Sequence, residues 1–341
     1  MYLNFSEAIK KSILENMKID KNIIIFGLGV TDPKNIFGTT EGLLKIFGKK
    51  RVLDVPCSEN ALTGIALGTS LLGKKVIFTH QRFDFTLLSF DQLINNIAKW
   101  KFMFATKRNV NITLRVIIGK GWGQGPTHSQ NFQSMLAHIP GLKILFPSNA
   151  NDVYNSINYS LRISDPVIII EHRWLYNSTS RIKKKKLVFS KKLYSGDNCT
   201  IVAMGNTVPD AIRLAEPLKK NNITADIFDL LSISPLELSG IVNSVKKTKK
   251  LILLEPSHKS FSVSSEIISR LNQQNVFFSS KIISLPDQPV PTSFYLTKKY
   301  YPSIEEIYKE ILSFLNIKNK FKIKITKGLH DVPGEWFSGP F

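Results

Sequence analysis

The chain has 341 residues, more than one ordinary hydrophobic core supports and enough for two domains. Its formal net charge of +20 rests on nine arginines against thirty-seven lysines. Scattered lysine, densest at Lys183-Lys184-Lys185-Lys186, argues against an arginine-rich nucleic-acid reader. It fits a solvated basic surface, with an acidic partner or an anionic ligand as the other use of the charge.

Phe5, Ala8, Ile9, Ile13 and Met17 recur at helical spacing, so the N-terminal segment is expected to be an amphipathic helix. Short apolar runs then alternate with helical patterns. Ile23 to Phe26 ends in Gly27-Leu28-Gly29, and Lys75 to Phe78 follows a helix carrying Ala61, Ile65, Ala66 and Leu71. A long helical segment is expected from about Asp84 to Ala105, followed by strands at Ile112 to Gly119, Leu142 to Phe146 and Pro166 to Ile170. Continuous apolar runs joined by helices describe strands buried on both faces, hence an α/β fold with a mostly parallel sheet.

Residues 172–195, with Asn177-Ser178-Thr179-Ser180 and the lysine run, break the pattern and read as a surface linker. A second alternation starts at Cys199 to Ala203 and continues through Ala225 to Phe228 and Leu251 to Leu254, with a last helix near Ile304 to Leu315. The expected division is a first domain over 1–177, a linker over 178–195, a second α/β domain over 196–316 and a tail over 317–341. That tail holds the alternating Phe321 to Ile325 and the large apolar Trp336, Phe337 and Phe341. The two cysteines, Cys57 and Cys199, have no metal-ligand spacing and fit a reducing compartment. The N-terminus has no apolar signal core, and no run is long enough to cross a bilayer, so a cytoplasmic protein without a membrane partner is expected.

Two segments stand out chemically. Asp54-Val55-Pro56-Cys57-Ser58-Glu59-Asn60 places a carboxylate where a strand gives way to a helix. Gly121-Trp122-Gly123-Gln124-Gly125-Pro126-Thr127-His128-Ser129-Gln130 is a glycine-rich loop ending in a histidine. Alone, Glu59 reads as a first-turn charge favoured by the helix dipole, and His128 as a solvated loop residue. His80 and His172 sit at strand ends, where ligands of α/β proteins collect.

Taken in order, Ser58-Glu59-Asn60, Phe83-Asp84-Phe85 with Asp91-Gln92, His128-Ser129-Gln130 and Pro140-Gly141-Leu142-Lys143 resemble the β subunit of the first component of the 2-oxo acid (pyruvate and branched-chain) dehydrogenase complexes. The resemblance extends to about residue 315. It implies a transketolase-like pyrimidine-binding domain followed by a transketolase C-terminal domain, with thiamine diphosphate shared between subunits of an α2β2 assembly. It assigns Glu59 to the hydrogen bond with the pyrimidine N1′ that favours the imino tautomer, Gln81 and Phe85 to cofactor contact, and His128 to the substrate or to proton transfer. His80 and Arg82 become candidate substrate contacts. A potassium ion is implied at backbone carbonyls matching Ile112, Ser160, Leu161, Ile163 and Asp165.

The same resemblance implies a missing half. There is no Gly-Asp-Gly motif with a distant Asn pair, and Gly196-Asp197-Asn198 is the nearest fragment. An α-type partner is therefore expected to hold the diphosphate and Mg2+, with a 2-oxo acid as substrate and a lipoylated acyltransferase as a further partner. Three departures concern the acceptor: the polar His80-Gln81-Arg82, the serine-rich turn from Ser257 to Ser262, and the tail. They keep open a split transketolase-like or acyloin-forming enzyme that passes a two-carbon unit to an aldehyde, ketone or sugar. A non-catalytic scaffold subunit and a basic nucleic-acid binder are the readings from other classes.

Overall fold

The computed structural model describes residues 1–105, 109–121 and 123–318. It divides into two compact units, one formed by Met1–Gly119 with Met135–Leu187, the other by Lys120–Ser134 with the chain from Val188 onward. Among the described residues no helix is long and apolar enough to cross a membrane.

In the first unit the strands lie in the order Lys143–Leu145, Val167–His172, Ile112–Ile118, Lys75–His80, Ile23–Gly27 and Val52–Asp54, and every adjacent pair is parallel. All seven residues of Ile112–Ile118 and all six of Val167–His172 are buried, as expected for strands covered on both faces. The N-terminal helix Phe5–Ile19 is set by a reciprocal cap. Asn4 Oδ1 accepts from the Glu7 N–H, and the Asn4 N–H donates to Glu7 Oε2, both at 2.8 Å. Its apolar stripe of Phe5, Ala8, Ile9, Ile13 and Met17 is wholly buried, worth roughly 1.5–3 kcal/mol for each large side chain. The helix is tied to helix Ala150–Ser160 by Ser12 Oγ donating to the Tyr154 carbonyl at 3.0 Å and by Asn16 bonding Asn158 at 2.8 Å.

In the second unit five strands run in the order Ser279–Leu285, Lys250–His258, Cys199–Ala203, Ala225–Leu230 and Ser190–Tyr194. The first four are parallel, and Ser190–Tyr194 closes the edge antiparallel. Helices Val208–Lys220 and Ile304–Phe314 bury Ala211, Leu214, Leu218, Ile307 and Ile311 in one core with Ile201, Ile227 and Ile252.

Two expectations need correction. The segment read as a surface linker contains two strands: Thr179–Arg181, antiparallel to Tyr2–Asn4, and Ser190–Tyr194. Apart from Leu193 and Tyr194 their side chains are polar, as suits edge strands, so hydropathy did not mark them. The long helix is instead a 3-10 stretch Phe83–Ser89, a π-helical stretch Asp91–Ile97 and a short α-helix Trp100–Met103. The tail from 319 onward, including Phe321 to Ile325, Trp336, Phe337 and Phe341, lies outside the described residues. Lys183, Lys184, Lys185 and Lys186 are all exposed, as a solvated run should be.

A charged pair lies in the interior of the first unit. Arg115 and Glu171, both 0% exposed, meet on adjacent strands through bonds of 2.6 and 3.0 Å. Arg115 also donates to Thr39 Oγ1 at 3.0 Å, and Tyr176 O–H donates to Glu171 at 2.5 Å. Burial works against the Arg115 charge, but Glu171 outweighs it and the Arg115 pKa is raised. Replacing Arg115 by Met would leave Glu171 buried and unpaired. Arg115→Met is expected to cost about 3–5 kcal/mol in a urea melt, and Arg115→Met with Glu171→Leu to recover most of it. A loss below about 1 kcal/mol for the single variant would contradict this reading of the pair.

Candidate active site in the pyrimidine-binding domain

The site begins at the end of strand Val52–Asp54. The Asp54 carboxylate accepts from the N–H groups of Gly29, Thr31 and Val55 at 3.0, 2.9 and 3.0 Å, and from Thr31 Oγ1 at 3.0 Å. Burial would raise the Asp54 pKa, but these donors prevail and lower it. One carboxylate thus fixes two loops, the one leaving strand Ile23–Gly27 and the one leading to Glu59. Glycine is required on the first loop. Gly29 has φ +78°, and a Cβ there would collide with the Gln81 amide.

Glu59 is the first residue of helix Glu59–Leu71 and is 8% exposed. Its carboxylate lies 3.7 and 3.9 Å from the Cys57 thiol, a weak donor. The Glu59 charge, with burial and this contact, pushes the Cys57 thiol pKa up, so Cys57 stays neutral. Glu59, His80, Gln81 and Phe85 together line one small cleft, completed by Leu28, Val55, Pro56, Leu62, Phe78 and Thr79. Four of the six side chains expected at the site therefore meet on one wall. Arg82 is buried and turns aside, donating to the Gln81 carbonyl at 2.8 Å.

His80 closes strand Lys75–His80. Its Nδ1 is 2.9 Å from Thr86 Oγ1, its ring stands edge-on to Phe78, and its Nε2 is buried with no partner. Burial lowers its pKa to about 3, so the ring is neutral at working pH. Thr79 Oγ1, which lines the same cleft, is likewise buried and unpartnered.

His128 belongs to the other unit, on the segment Lys120–Ser134. Its Nδ1 is 3.1 Å from Thr127 Oγ1. The segment is pinned within that unit. The Gly123 N–H donates to the Thr292 carbonyl at 2.8 Å, and the Lys120 ammonium sits 5.0 Å over the Tyr301 ring. Gln133 donates to Glu255 Oε1 at 2.6 Å and to Ser257 Oγ at 3.0 Å. Glu255, 3% exposed, also accepts from Ser257 Oγ and from the N–H and hydroxyl of Ser264. The serine-rich turn thus serves a buried carboxylate.

Of the carbonyls named for potassium, that of Ile163 accepts from the Asn111 side-chain amide. Beside it the Lys101 ammonium bonds Asp165 Oδ1 at 2.7 Å and Ser164 Oγ at 3.2 Å. Among the described residues no group of three or more His, Cys, Asp or Glu could hold a metal ion. Asp197, in the Gly-Asp-Asn fragment, is spent on a turn with Thr224 and on Lys247.

Residues 2–179 match the family model for the transketolase pyrimidine-binding domain, and residues 190–307 match the transketolase C-terminal domain. The chain belongs to the transketolase family. Its curated relatives include β subunits of the pyruvate dehydrogenase E1 component and of an acetoin oxidoreductase. It is 31% identical to the pyruvate dehydrogenase E1 component subunit beta-1 (mitochondrial) of Oryza sativa subsp. japonica, over 89% of this chain and 84% of that protein. It is 30% identical to the corresponding subunit of Saccharomyces cerevisiae, over 90% and 88%. It is 29% identical to the acetoin:2,6-dichlorophenolindophenol oxidoreductase subunit beta of Bacillus subtilis, over 92% and 97%. In fold it is similar to a split gene transketolase solved as an inactive beta4 tetramer, with TM-score 0.76 and 17% identity over 93% of this chain and 99% of that one.

Within this transketolase-family chain, sequence reasoning missed Asp54 as the organiser of Glu59, and Thr79 as a cleft hydroxyl. Asp54 carried a readable signal, an acid at a strand end four residues before Ser58. Thr79 carried none, since threonine is ordinary in a strand. The neutral His80 generates a prediction. Its folded pKa of about 3 lies below the ordinary 6.5, so between those values the unfolded chain binds more protons and stability falls as pH falls. Lowering pH from 7 to 5 is expected to cost roughly 2 kcal/mol through this residue, and His80→Phe to remove that part of the slope in urea melts at the two pH values. Identical slopes for both proteins would show that His80 is not buried neutral.

Proposed function

We propose that the chain is the β subunit of a two-chain thiamine diphosphate enzyme that oxidatively decarboxylates a 2-oxo acid. An α-type partner holds the diphosphate and Mg2+ in an α2β2 assembly, and a lipoylated acyltransferase takes the acyl unit. The observation that carries the reading is Glu59, a buried carboxylate at the cleft whose nearest donor is a thiol at 3.7 Å. Such a group calls for a stronger donor from a ligand. A protonated ring nitrogen supplies it, and Phe85 on the same wall offers a flat apolar surface to the ring.

Thiamine diphosphate, when bound, supplies the nucleophilic carbon that attacks the 2-oxo group and accepts the electron pair left by carbon dioxide. In this reading Glu59 holds a proton between its Oε atoms and the pyrimidine N1′, a bond worth roughly 1.5–3 kcal/mol in a dry site. Gln81 braces the loop beneath the ring by donating from Nε2 to the Leu28 carbonyl at 2.7 Å. His80 presents a neutral polar edge. His128, on its pinned loop, meets the substrate carboxylate or moves a proton near neutral pH. Exposed Ile65, Leu88, Phe102, Met103 and Phe104 on the first unit support burial against another chain.

The second reading, transfer to an aldehyde, ketone or sugar, is favoured by one feature: His80 and Gln81 make the cleft wall polar. Lipoamide reduction by the reconstituted enzyme supports the first reading, and carboligation without lipoamide supports the second. In that enzyme Glu59→Gln is expected to lower kcat by one to two powers of ten with little change in Tm; unchanged turnover would refute the assigned role. His128→Ala is expected to raise KM for the 2-oxo acid about tenfold while the cofactor Kd stays within about twofold. Equal losses in both would count against the division of labour.

A further inference from the structure

The segment that carries His128 ends on a buried acid that the mechanism does not use. Glu255 lies on strand Lys250–His258 and is 3% exposed. Its neighbour Leu254 is the last residue of that strand paired with Cys199–Ala203, and the register with Ser279–Leu285 shifts between Leu254 and His258. Glu255 therefore stands where the strand leaves its ladder, at the C-terminal edge where functional groups of parallel sheets collect. Gln133, wholly buried, comes to it from the segment. Its Nε2 donates to Glu255 Oε1 at 2.6 Å and to Ser257 Oγ at 3.0 Å.

Packing alone does not call for this carboxylate. A buried acid is costly unless donors surround it, and an apolar pair would fill the same space. Burial raises the Glu255 pKa, while bonds from Ser257 and Ser264 act the other way. The start of helix Val263–Gln273 does not call for the acid either. Ser262 Oγ already accepts from the Ser265 N–H at 3.1 Å, so that helix has its own cap. Glu255 Oε2 adds the Ser264 N–H at 3.1 Å and the Ser264 hydroxyl at 2.8 Å. This anchors the carboxylate on a helix start, whose dipole favours negative charge. One oxygen is thus fixed to the frame of the second unit. The other grips Gln133, with Ser257 Oγ donating beside it at 2.8 Å.

His128 lies between two ties to the second unit. Upstream the Gly123 N–H donates to the Thr292 carbonyl at 2.8 Å, and downstream stands Gln133. Between them the Ser129 hydroxyl and both ends of the Asn131 amide are buried without a partner, so these two side chains supply no hold. Gln133 is also the first residue of helix Gln133–Ala137, so its bond fixes the point at which the loop becomes helix. A hydrogen bond from an amide sets distance and direction together, whereas an aliphatic side chain of that length would be free to slide.

We propose that Glu255, acting through Gln133, is the positioning residue that sets the pose of His128. This rests on His128 meeting the 2-oxo acid, as in the proposed function. Glu255 touches neither substrate nor cofactor in this reading. It holds the segment in one arrangement beforehand, so that binding does not have to order the histidine.

Two measurements test it. Gln133→Met keeps the volume and removes the bond. In the full-length chain this variant is expected to quicken amide hydrogen exchange over residues 123–131 by roughly tenfold or more, with helix Val208–Lys220 unchanged. Unchanged exchange in the segment would overturn the proposal, and this arm needs neither partner nor cofactor. In the reconstituted enzyme Gln133→Met is expected to raise KM for the 2-oxo acid about five- to tenfold, with kcat within about threefold. In a His128→Ala background the same change is expected to add about twofold or less, because the residue it positions is gone. Losses that multiply in both backgrounds would mark a merely structural role and overturn the proposal. Gln133→Asn keeps the amide, shortens its reach and supplies both measurements if Gln133→Met does not fold. Wild type that fails to turn over a 2-oxo acid would refute the proposed function, and exchange in the segment would still decide whether Glu255 holds it.

Discussion

The first unit is organised around a charged pair where an apolar pair would serve stability as well. Arg115 and Glu171 are fully buried, and removing two ions from water costs several kcal/mol each before any attraction is counted. What the pair gives is direction. Its bidentate contact fixes two neighbouring strands in register, and its spare donors and acceptors reach Thr39 on one loop and Tyr176 on another. Those loops bear Phe37 and Arg173, and the Arg173 guanidinium lies 4.3 Å from the Phe37 ring centroid. A leucine pair would fill the same space and leave both loops to slide.

A second carboxylate repeats this logic at the cleft. Asp54 gathers three N–H groups and a hydroxyl from two loops, so the turn carrying Glu59 is set by its neighbour and not by the helix it opens. Ser58, the residue before that helix, makes no side-chain cap. A capped start would settle the helix by its own local chemistry. An uncapped one takes its direction from the strand end, and the Glu59 carboxylate inherits that position. In the second unit Glu255 plays the corresponding part for the segment with His128, there as a buried acid surrounded by neutral donors.

Much of this was legible in the residues. The buried strands were plain because apolar residues dominate Ile112–Ile118 and run unbroken from Val167 to Ile170, and helix Phe5–Ile19 because its stripe has one period. The meeting of Glu59, Gln81, Phe85 and His80 came from motif order. Physical reasoning alone gave Glu59 as a helix-end charge, Phe85 as a core ring and His80 as a residue at a strand end. What stayed hidden has a common cause. Ser190–Tyr194 is an edge strand with a polar face, the Phe83–Met103 segment changes helical pitch twice, and the turn at Asn35, Ile36 and Phe37 bends left without glycine. Each is imposed by tertiary contacts, and none leaves a period or a turn signature in the sequence.

The polarity of the cleft follows from counting protons on His80. A neutral imidazole has one donor and one acceptor, and Thr86 decides which faces outward. If Nδ1–H donated to Thr86 Oγ1, the Thr86 hydroxyl hydrogen, fully buried, would need another acceptor, and none is found among the described residues. If Thr86 donates to Nδ1, both groups are satisfied at that contact, and the nitrogen left over is Nε2–H. The second arrangement strands fewer buried atoms, so His80 offers the cleft a donor that carries no charge. A cationic ring lining the same cleft would compete for the Glu59 carboxylate, and a neutral one leaves that carboxylate to other donors.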